Sequence, residues 1–252
     1  MKLINRFLFV ALIGVLAIVG CEDESITLAP SVLGLDLYPV EEGRSWTYRV
    51  DSVLIVGGGN SQITSSSFVR EEITGSFVNG SGDTTYILRI SESDTQDGTF
   101  GVSDVWSIEK TSSSVLRFEE NLGFLKLAFP IVEGVEVENI LFDPLITVDV
   151  AQQSIQPYKG WRYRVLSRGG VVTAGGEEFT NVTTVQQSNN QTEFINDLEQ
   201  RLVTEQYAPN IGMIRRTMEI FDTQCGTVCR DQPWVERAEA GFSLVQTLVE
   251  YN

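Results

Sequence analysis

The 252-residue chain carries 18 Lys and Arg against 34 Asp and Glu, a formal charge of −16, and no histidine. An acidic body repels phosphate backbones, which argues against nucleic acid as a partner. The missing imidazole removes the commonest general base, the usual zinc ligand and the usual switch near neutral pH.

Lys2 and Arg6 precede an uncharged apolar run from Phe7 to Gly20. That run is too short for a membrane span of about 20 residues but fits the apolar core of a secretion signal. It ends in Leu16-Ala17-Ile18-Val19-Gly20-Cys21, which resembles the lipobox of bacterial lipoproteins. The resemblance implies cleavage after Gly20, a thioether-linked diacylglycerol on Cys21 and an acyl chain such as palmitate on the new amino terminus. Several acyl chains, each methylene contributing about 0.8 kcal/mol, anchor a protein durably. Residues 1–20 are therefore read as a signal peptide and 21–36 as a lipidated acidic tether that opens with Glu22, Asp23 and Glu24. Acidic residues at that place resemble a surface-export mark in some Gram-negative envelopes and an inner-membrane retention mark in others. The expected address is a lipid anchor in the outer membrane, facing the periplasm or the surface. The mature chain keeps sixteen bases and all the acids, a formal charge of −18.

From residue 37 onward the pattern is alternation. Trp46, Tyr48 and Val50 fall on one side and Thr47, Arg49 and Asp51 on the other; Trp161, Tyr163 and Val165 alternate with Arg162 and Arg164. Period two with β-branched and aromatic residues marks half-buried strands. Gly57-Gly58-Gly59-Asn60, Asn79-Gly80, Asp97-Gly98, Gly169-Gly170 and Gly175-Gly176 supply the turns, where positive φ is needed. Strands are expected at 45–56, 66–78, 84–93, 99–110, 114–120, 145–154, 160–168, 178–188, 211–222 and 234–251. Ile195, Leu198 and Leu202 have helical spacing while Leu202-Val203-Thr204 prefers a strand, so a short helix near 193–201 stays open. Hairpins at this spacing predict one mostly β domain, residues 37–252, built on a strongly curved antiparallel sheet: a half-barrel, barrel or sandwich.

Two stretches recur in order. Tyr38-Pro39-Val40-Glu41-Glu42-Gly43 runs into Trp46-Thr47-Tyr48-Arg49-Val50; Phe129-Pro130-Ile131-Val132-Glu133-Gly134 is followed, after an insertion, by Trp161-Arg162-Tyr163-Arg164-Val165. A degenerate two-part architecture is one reading. These stretches, together with Tyr207-Ala208-Pro209-Asn210-Ile211-Gly212-Met213-Ile214, resemble a poorly characterised family of secreted lipoproteins of Gram-negative bacteria. That family carries an early Tyr/Phe-Pro-Leu-x-x-Gly-x-x-Trp-x-Tyr, a second Phe-Pro-Leu-x-x-Gly and a late Tyr-Ala-Pro-Gly-Val-Gly. The order covers most of the mature chain. It departs at Val137, where the family often has Trp, and at Asn210, where it often has Gly; Asn tolerates positive φ. The resemblance implies a curved sheet like the half-barrels of periplasmic lipoprotein carriers, and brings no catalytic residues.

Cys225 and Cys229 remain as an even pair once Cys21 carries lipid. A three-residue loop would set them across a hairpin, where facing Cα atoms lie about 4.5–5.5 Å apart, within disulfide range. A redox pair would prefer Cys-x-x-Cys, and zinc would need two further ligands. Glu92, Asp94, Asp97 and Asp104 lack the spacing of a calcium loop, so a bare acidic turn explains them and no metal or cofactor is expected. Asp51-Ser52-Val53 and Asp83-Thr84-Thr85 resemble acceptor tripeptides of bacterial O-glycosylation, and read equally as ordinary strand and turn residues. Adjacent carboxylates such as Glu71-Glu72, Glu119-Glu120 and Glu177-Glu178 face opposite sides of a strand and make no dyad by themselves. No nucleophile elbow, phosphate loop or dinucleotide motif occurs, so catalysis is not expected. Trp46, Tyr48, Trp161 and Tyr163 are candidate ligand-binding aromatics, set against the plainer reading that alternating aromatics fill a core. Two functions follow. One is a non-catalytic envelope carrier or receptor for a hydrophobic or envelope-derived ligand. The other is a structural or accessory surface lipoprotein acting through protein or glycan contacts.

Overall fold

The structure is a computed structural model and describes residues 29–191 and 196–252. The signal segment, Cys21, the acids after it and part of the expected helix near 193–201 lie outside the described residues.

Ser45–Val56 (β1), Ser61–Val78 (β2), Thr84–Ser93 (β3), Gly101–Lys110 (β4), Ser114–Glu119 (β5) and Leu122–Ala128 (β6) form one meander. Trp161–Ala174 (β10), Glu177–Asn189 (β11), Glu199–Ala208 (β12), Gly212–Asp222 (β13) and Ala240–Tyr251 (β14) form a second. Between them lie Glu136–Val137 (β7) and a separate ribbon of Val148–Val150 (β8) with Gln153–Ile155 (β9). The chain's first and last long strands are neighbours: β1 pairs with β14 from Trp46↔Tyr251 to Leu54↔Phe242. One 12-stranded antiparallel sheet results, in the order β6-β5-β4-β3-β2-β1-β14-β13-β12-β11-β10-β7.

The sheet is strongly curved and its two edges do not close on each other strand to strand. A short crossover bridges them instead. β7 pairs with β10 through Tyr163↔Val137 and Arg164↔Glu136. A few residues on, the Leu125 amide donates to Asn139 O (2.8 Å) and the Leu141 amide to Gly123 O (2.9 Å), both on β6. The concave face buries Ile73, Leu88, Ile108, Leu127, Val165, Val185, Tyr207 and Ile214. Each comes from a different strand, and on β6 a register shift against β5 at Lys126 lets Lys126 and Leu127 both be buried.

The expected strands are present, with differences that have physical causes. β6 and β12 are absent from the strands expected from the sequence. β12 lies where the short helix and the strand preference of Leu202-Val203-Thr204 both stay open. β6 is reached through a two-residue turn at Glu120-Asn121 with φ of 51° and 68°, a hairpin turn that lacks the usual Gly. The strand expected at 145–154 is a hairpin, folded at Ala151-Gln152 (φ 52° and 65°). Residues 199–201 of the open helix reading belong to β12, paired with β13 from Glu199↔Asp222; cross-strand pairing overrides the helical spacing. The strand expected from 234 starts at 240, because Trp234–Arg237 forms a helical turn (α2) after Pro233. Its Trp234 and Val235 pack on Ile55 and Phe221. The described part of the stretch read as tether to residue 36 packs on the body: Pro30–Leu33 is a helical turn (α1), the Ile131 amide donates to Leu33 O (3.1 Å), and Leu37, which follows the stretch, is buried. Leu35 of this stretch and Leu37 just beyond it join the core.

β13 and β14 pair from Asp222↔Ala240 to Arg215↔Thr247, so pairing does begin beyond Pro233, which has no amide hydrogen to donate. Cys225 and Cys229 are bonded with Cα atoms 5.7 Å apart. They do not face each other across the ladder: the bond spans a 3-10 turn, Gly226–Cys229, in the connection. So small a ring contributes about 2 kcal/mol through the unfolded chain. Replacing both cysteines by serine should lower the melting midpoint by a few degrees, since ~1–2 kcal/mol moves a domain of this size about 2–8 °C. Thiol labelling of the unreduced, denatured protein should find no free thiol at Cys225 or Cys229; labelling at both would disprove the bond.

Candidate functional site: a charged core inside the sheet

The four aromatics marked from the sequence do not line an open surface. Trp46, Tyr48, Trp161 and Tyr163 are each at most 5% exposed, so the binding-face reading is corrected: they are core side chains. Their polar atoms are engaged by backbone. Trp46 Nε1 donates to Ile211 O (2.5 Å), Tyr48 Oη to Met213 O (3.0 Å) and Trp161 Nε1 to Pro157 O (2.8 Å). Tyr163 Oη accepts from the Ala128 amide at 3.4 Å. Ile211 and Met213 belong to the late Tyr-Ala-Pro-Asn-Ile-Gly-Met stretch, so two of the resemblance motifs touch each other. Gly212, at φ 107°, lets the backbone pass beneath the indole: a Cβ there would lie 3.2 Å from Trp46 Nε1. Asn210 adopts φ 62°, a left-handed conformation that Asn tolerates. Trp161 instead joins Phe124, Phe142 and Tyr158, with ring centroids 5.1–5.8 Å apart. That cluster pins the 142–158 region to β6 and β10.

What the sequence reading missed lies deeper. Glu71 (β2), Arg117 and Glu119 (β5), Arg216 (β13), Glu205 (β12) and Lys126 (β6) point into the concavity and form a chain of alternating charge. Arg117 is bidentate on Glu71, at 2.8 and 3.0 Å, and lies 3.0 Å from Glu119 through Nε. Arg216 bridges Glu119 (3.7 Å) and Glu205 (2.8 Å). Lys126 Nζ closes the chain on Glu205. The other Glu205 oxygen accepts from Tyr207 Oη (2.6 Å) and Gln187 Nε2 (2.9 Å). Gln187 also donates to Lys126 O, and Asn139 of the crossover donates to Gln187 O and Oε1, both at 2.8 Å. Arg117 stacks over Trp106 at 4.6 Å.

The signal for this cluster was present in the alternation. Lys126 sits in Phe124-Leu125-Lys126-Leu127, and Glu205 shares the phase of Val203 and Tyr207. A charge in the buried phase of a strand needs a buried partner. The adjacent acids separate as the pleat dictates: Glu71 points inward to Arg117, while Glu72 meets Arg89 outside.

Burial raises the Glu205 carboxyl, but the Lys126 and Arg216 charges and the hydrogen bonds from Lys126 and Tyr207 overcome it and hold Glu205 well below the usual range. Glu119 is also lowered: Arg117, Arg216 and Lys126 outweigh its burial. Burial, with repulsion from Arg216, pushes the Lys126 amine down to about 8 despite Glu205 and Glu119. Burial raises Tyr38 to about 12, and Tyr163 to about 12 as well. An amine near 8 could serve as a base or form a Schiff base, but Lys126 is 1% exposed and the adjoining void is about 10 Å³. That is room for about one water molecule, not for a substrate.

Among the described residues no group of three or more His, Cys, Asp or Glu is placed to hold a metal ion. Of the acidic turn residues, Asp104 faces Trp106, accepting from its Nε1 at 2.8 Å, while Glu92 and Asp94 line a separate surface groove.

Lys126→Met should cost about 3–5 kcal/mol, because Glu205 then keeps only one cation in a buried setting. Adding Glu205→Gln should cost less than the two single changes together, measured by denaturant unfolding. The pH dependence has a defined sign. Glu205 and Glu119 bind protons later in the folded state than their ordinary 4.5, so stability falls as pH drops below about 4.5. Lys126 titrates at about 8 folded and 10.5 unfolded, so stability should rise between those pH values. Tyr38 and Tyr163 keep their protons to about 12 against 10 unfolded, which reverses the trend above pH 10. Melting midpoints between pH 3 and 11 should show this shape, and the rise above pH 8 should vanish in Lys126→Met.

No protein-family model and no curated protein matches the sequence. Solved structures align with it, two of them as follows. One is from Parabacteroides distasonis, assigned provisionally as a lipoprotein: 12% identity, 86% of this chain and 98% of that chain covered, TM-score 0.35. The other is from Bacteroides fragilis, assigned provisionally as an exported protein with a YmcC-like fold: 11% identity, 85% and 98% covered, TM-score 0.36.

Proposed function

We propose that this chain is a lipid-anchored envelope protein that works through contacts on its outer surface and does not carry a ligand inside its sheet. The observation that carries the reading is the filled concavity. Half-barrel carriers need an apolar hollow; here the concave face is occupied by Tyr38, Tyr48 and Tyr207 and by six charged side chains joined in ion pairs. A lipid chain placed there would have to displace an ionic network, leaving charges buried without partners. The signal segment and Cys21 supply the anchor, the outer membrane is the expected address, and the role is non-catalytic. The acyl chains are the membrane contact, because a mature charge of −18 disfavours anionic headgroups.

Cys21→Ser should move the protein from the membrane to the soluble fraction, and mass analysis of the native protein should find acyl groups on the N-terminal peptide. A variant that stays with membranes, together with an unacylated native protein, would overturn the anchor. Mass spectrometry of protein purified in mild detergent should find no stoichiometric lipid beyond the covalent anchor; a bound lipid lost on unfolding would restore the carrier reading.

A further inference from the structure

The β1–β2 hairpin is longer than the sheet around it. β2 pairs with β1 along its length from Glu72 to Ser61, but its pairing with β3 stops at Phe68↔Ser93. Residues 61–67 therefore have a partner on one side, and none on the other among the described residues. Their outward groups can be identified. The Ile73 amide donates to Arg44 O, and the β1–β2 register has no bulge between Ser45↔Glu72 and Val56↔Ser61. In an antiparallel ladder each residue turns both its N–H and C=O to the same neighbour, and the next residue turns to the other. Odd-numbered residues of this stretch thus bond β1, and Gln62, Thr64 and Ser66 offer their amides and carbonyls to the open side.

Edges of this kind are normally blunted by charge, proline, a bulge or a covering loop. The stretch Ser61-Gln62-Ile63-Thr64-Ser65-Ser66-Ser67 has no charge and no proline, and residues 61–66 are exposed. The loop after β3, which could have covered this edge, instead frames a groove of about 520 Å³ beside Ser67, with Glu92 and Asp94 on its wall. Neither acid has a cation partner among the described residues. The edge also lies away from where the N-terminal segment joins the body. Lys110 Nζ donates to Leu35 O and Tyr38 O at one end of β4, while Gly101 at the other end pairs with Glu92. Ten residues of strand separate the two ends, about 30 Å.

We propose that the 61–67 edge of β2 is a docking site for an extended polypeptide segment of a partner protein, which adds as a further strand. The segment carries Lys or Arg at the end that enters the Glu92/Asp94 groove. Backbone hydrogen bonds at Gln62, Thr64 and Ser66 supply the binding and the acidic wall supplies charge selectivity. A second copy of this chain fits less well, because two strongly acidic bodies repel. This inference deepens the surface-contact reading and does not depend on the anchor.

The test uses the full chain in detergent and a synthetic octapeptide of alternating Thr and Val, extended by two Lys at either end or by two Glu. Fluorescence anisotropy should show the Lys peptide binding more tightly than the Glu peptide, with the difference shrinking in high salt. Thr64→Pro removes an outward amide, which an edge strand tolerates. It should leave the melting midpoint nearly unchanged and weaken binding on the order of tenfold or more. Glu92→Gln with Asp94→Asn should erase the preference for Lys. Failure of every peptide to bind, or binding that Thr64→Pro leaves intact, overturns the edge site. Concentration-dependent dimers abolished by Thr64→Pro would overturn the foreign partner in favour of a second copy. None of these failures bears on the filled concavity, which the lipid measurement tests by itself.

Discussion

The alternating chain from Glu71 to Lys126 is the constraint on which the rest of the structure depends. It begins on β2, passes through β5 to β13 and β12, and returns to the outermost strand β6. It thus ties one meander to the other across the concavity. A 12-stranded sheet that curves without closing leaves its edges joined by few backbone bonds. Side chains must hold the curvature, and an ionic network does so at fixed distances. Three acids and three bases balance, so the interior gathers no net charge despite a body far from neutrality. Taking six charges from water is costly and the attraction roughly offsets it. The network is therefore better understood as fixing one curvature than as adding stability.

The resemblance motifs acquire a physical meaning in this frame. Trp46 and Tyr48 donate to Ile211 O and Met213 O, and Tyr38 packs on Tyr207 at 6.1 Å between ring centroids. The Ile131 amide reaches Leu33 O, and the Asn210 amide reaches Asp36 O at 2.7 Å. The stretches around Tyr38-Pro39, Phe129-Pro130 and Tyr207-Ala208 thus meet through the N-terminal segment, at the end of the sheet where the chain enters. Their shared chemistry is that of assembly: large rings whose one polar atom is satisfied by backbone. Trp46 and Trp161 occupy matching places in their sequence stretches, yet they serve different clusters.

Much of this architecture was legible because alternation and Gly-rich turns report local geometry. The bounds expected at 45–56 and 84–93 coincide with β1 and β3, where both the pattern and the turn residues were clear. β6 escaped because its turn uses Glu120-Asn121 and its buried phase contains Lys126. The charged core escaped for a related reason. Its members come from five strands, and only the curvature of the whole sheet brings β6 opposite β12. A sequence displays a charge out of phase, but not the partner that excuses it. The aromatics stayed open between two readings, since a ring with a polar atom reads alike for a ligand face and for a core closed by backbone carbonyls, and it is the plainer core reading that their burial agrees with.

A filled interior moves the question of function to the rim and the outer face. In a carrier, the concave side is the selected surface and the edges need only avoid aggregation. Here the concave side is committed to its own network, and both sheet edges are engaged by the 136–141 crossover. The edges are thus protected in the middle of the sheet, where β6 and β10 would otherwise offer unpaired backbone. The same economy does not extend to the β1–β2 hairpin, which runs past Ser93 with uncharged, mostly polar residues around an exposed Ile63; Gln62 Nε2 donates to Val235 O (2.8 Å), but no strand pairs with the 61–67 edge on its open side among the described residues. The crossover and this hairpin thus meet the edge problem differently, one by backbone pairing and the other by polar side chains. Serine and threonine keep that edge wet and weakly sticky, so pairing there requires a partner whose side chains also fit the acidic groove.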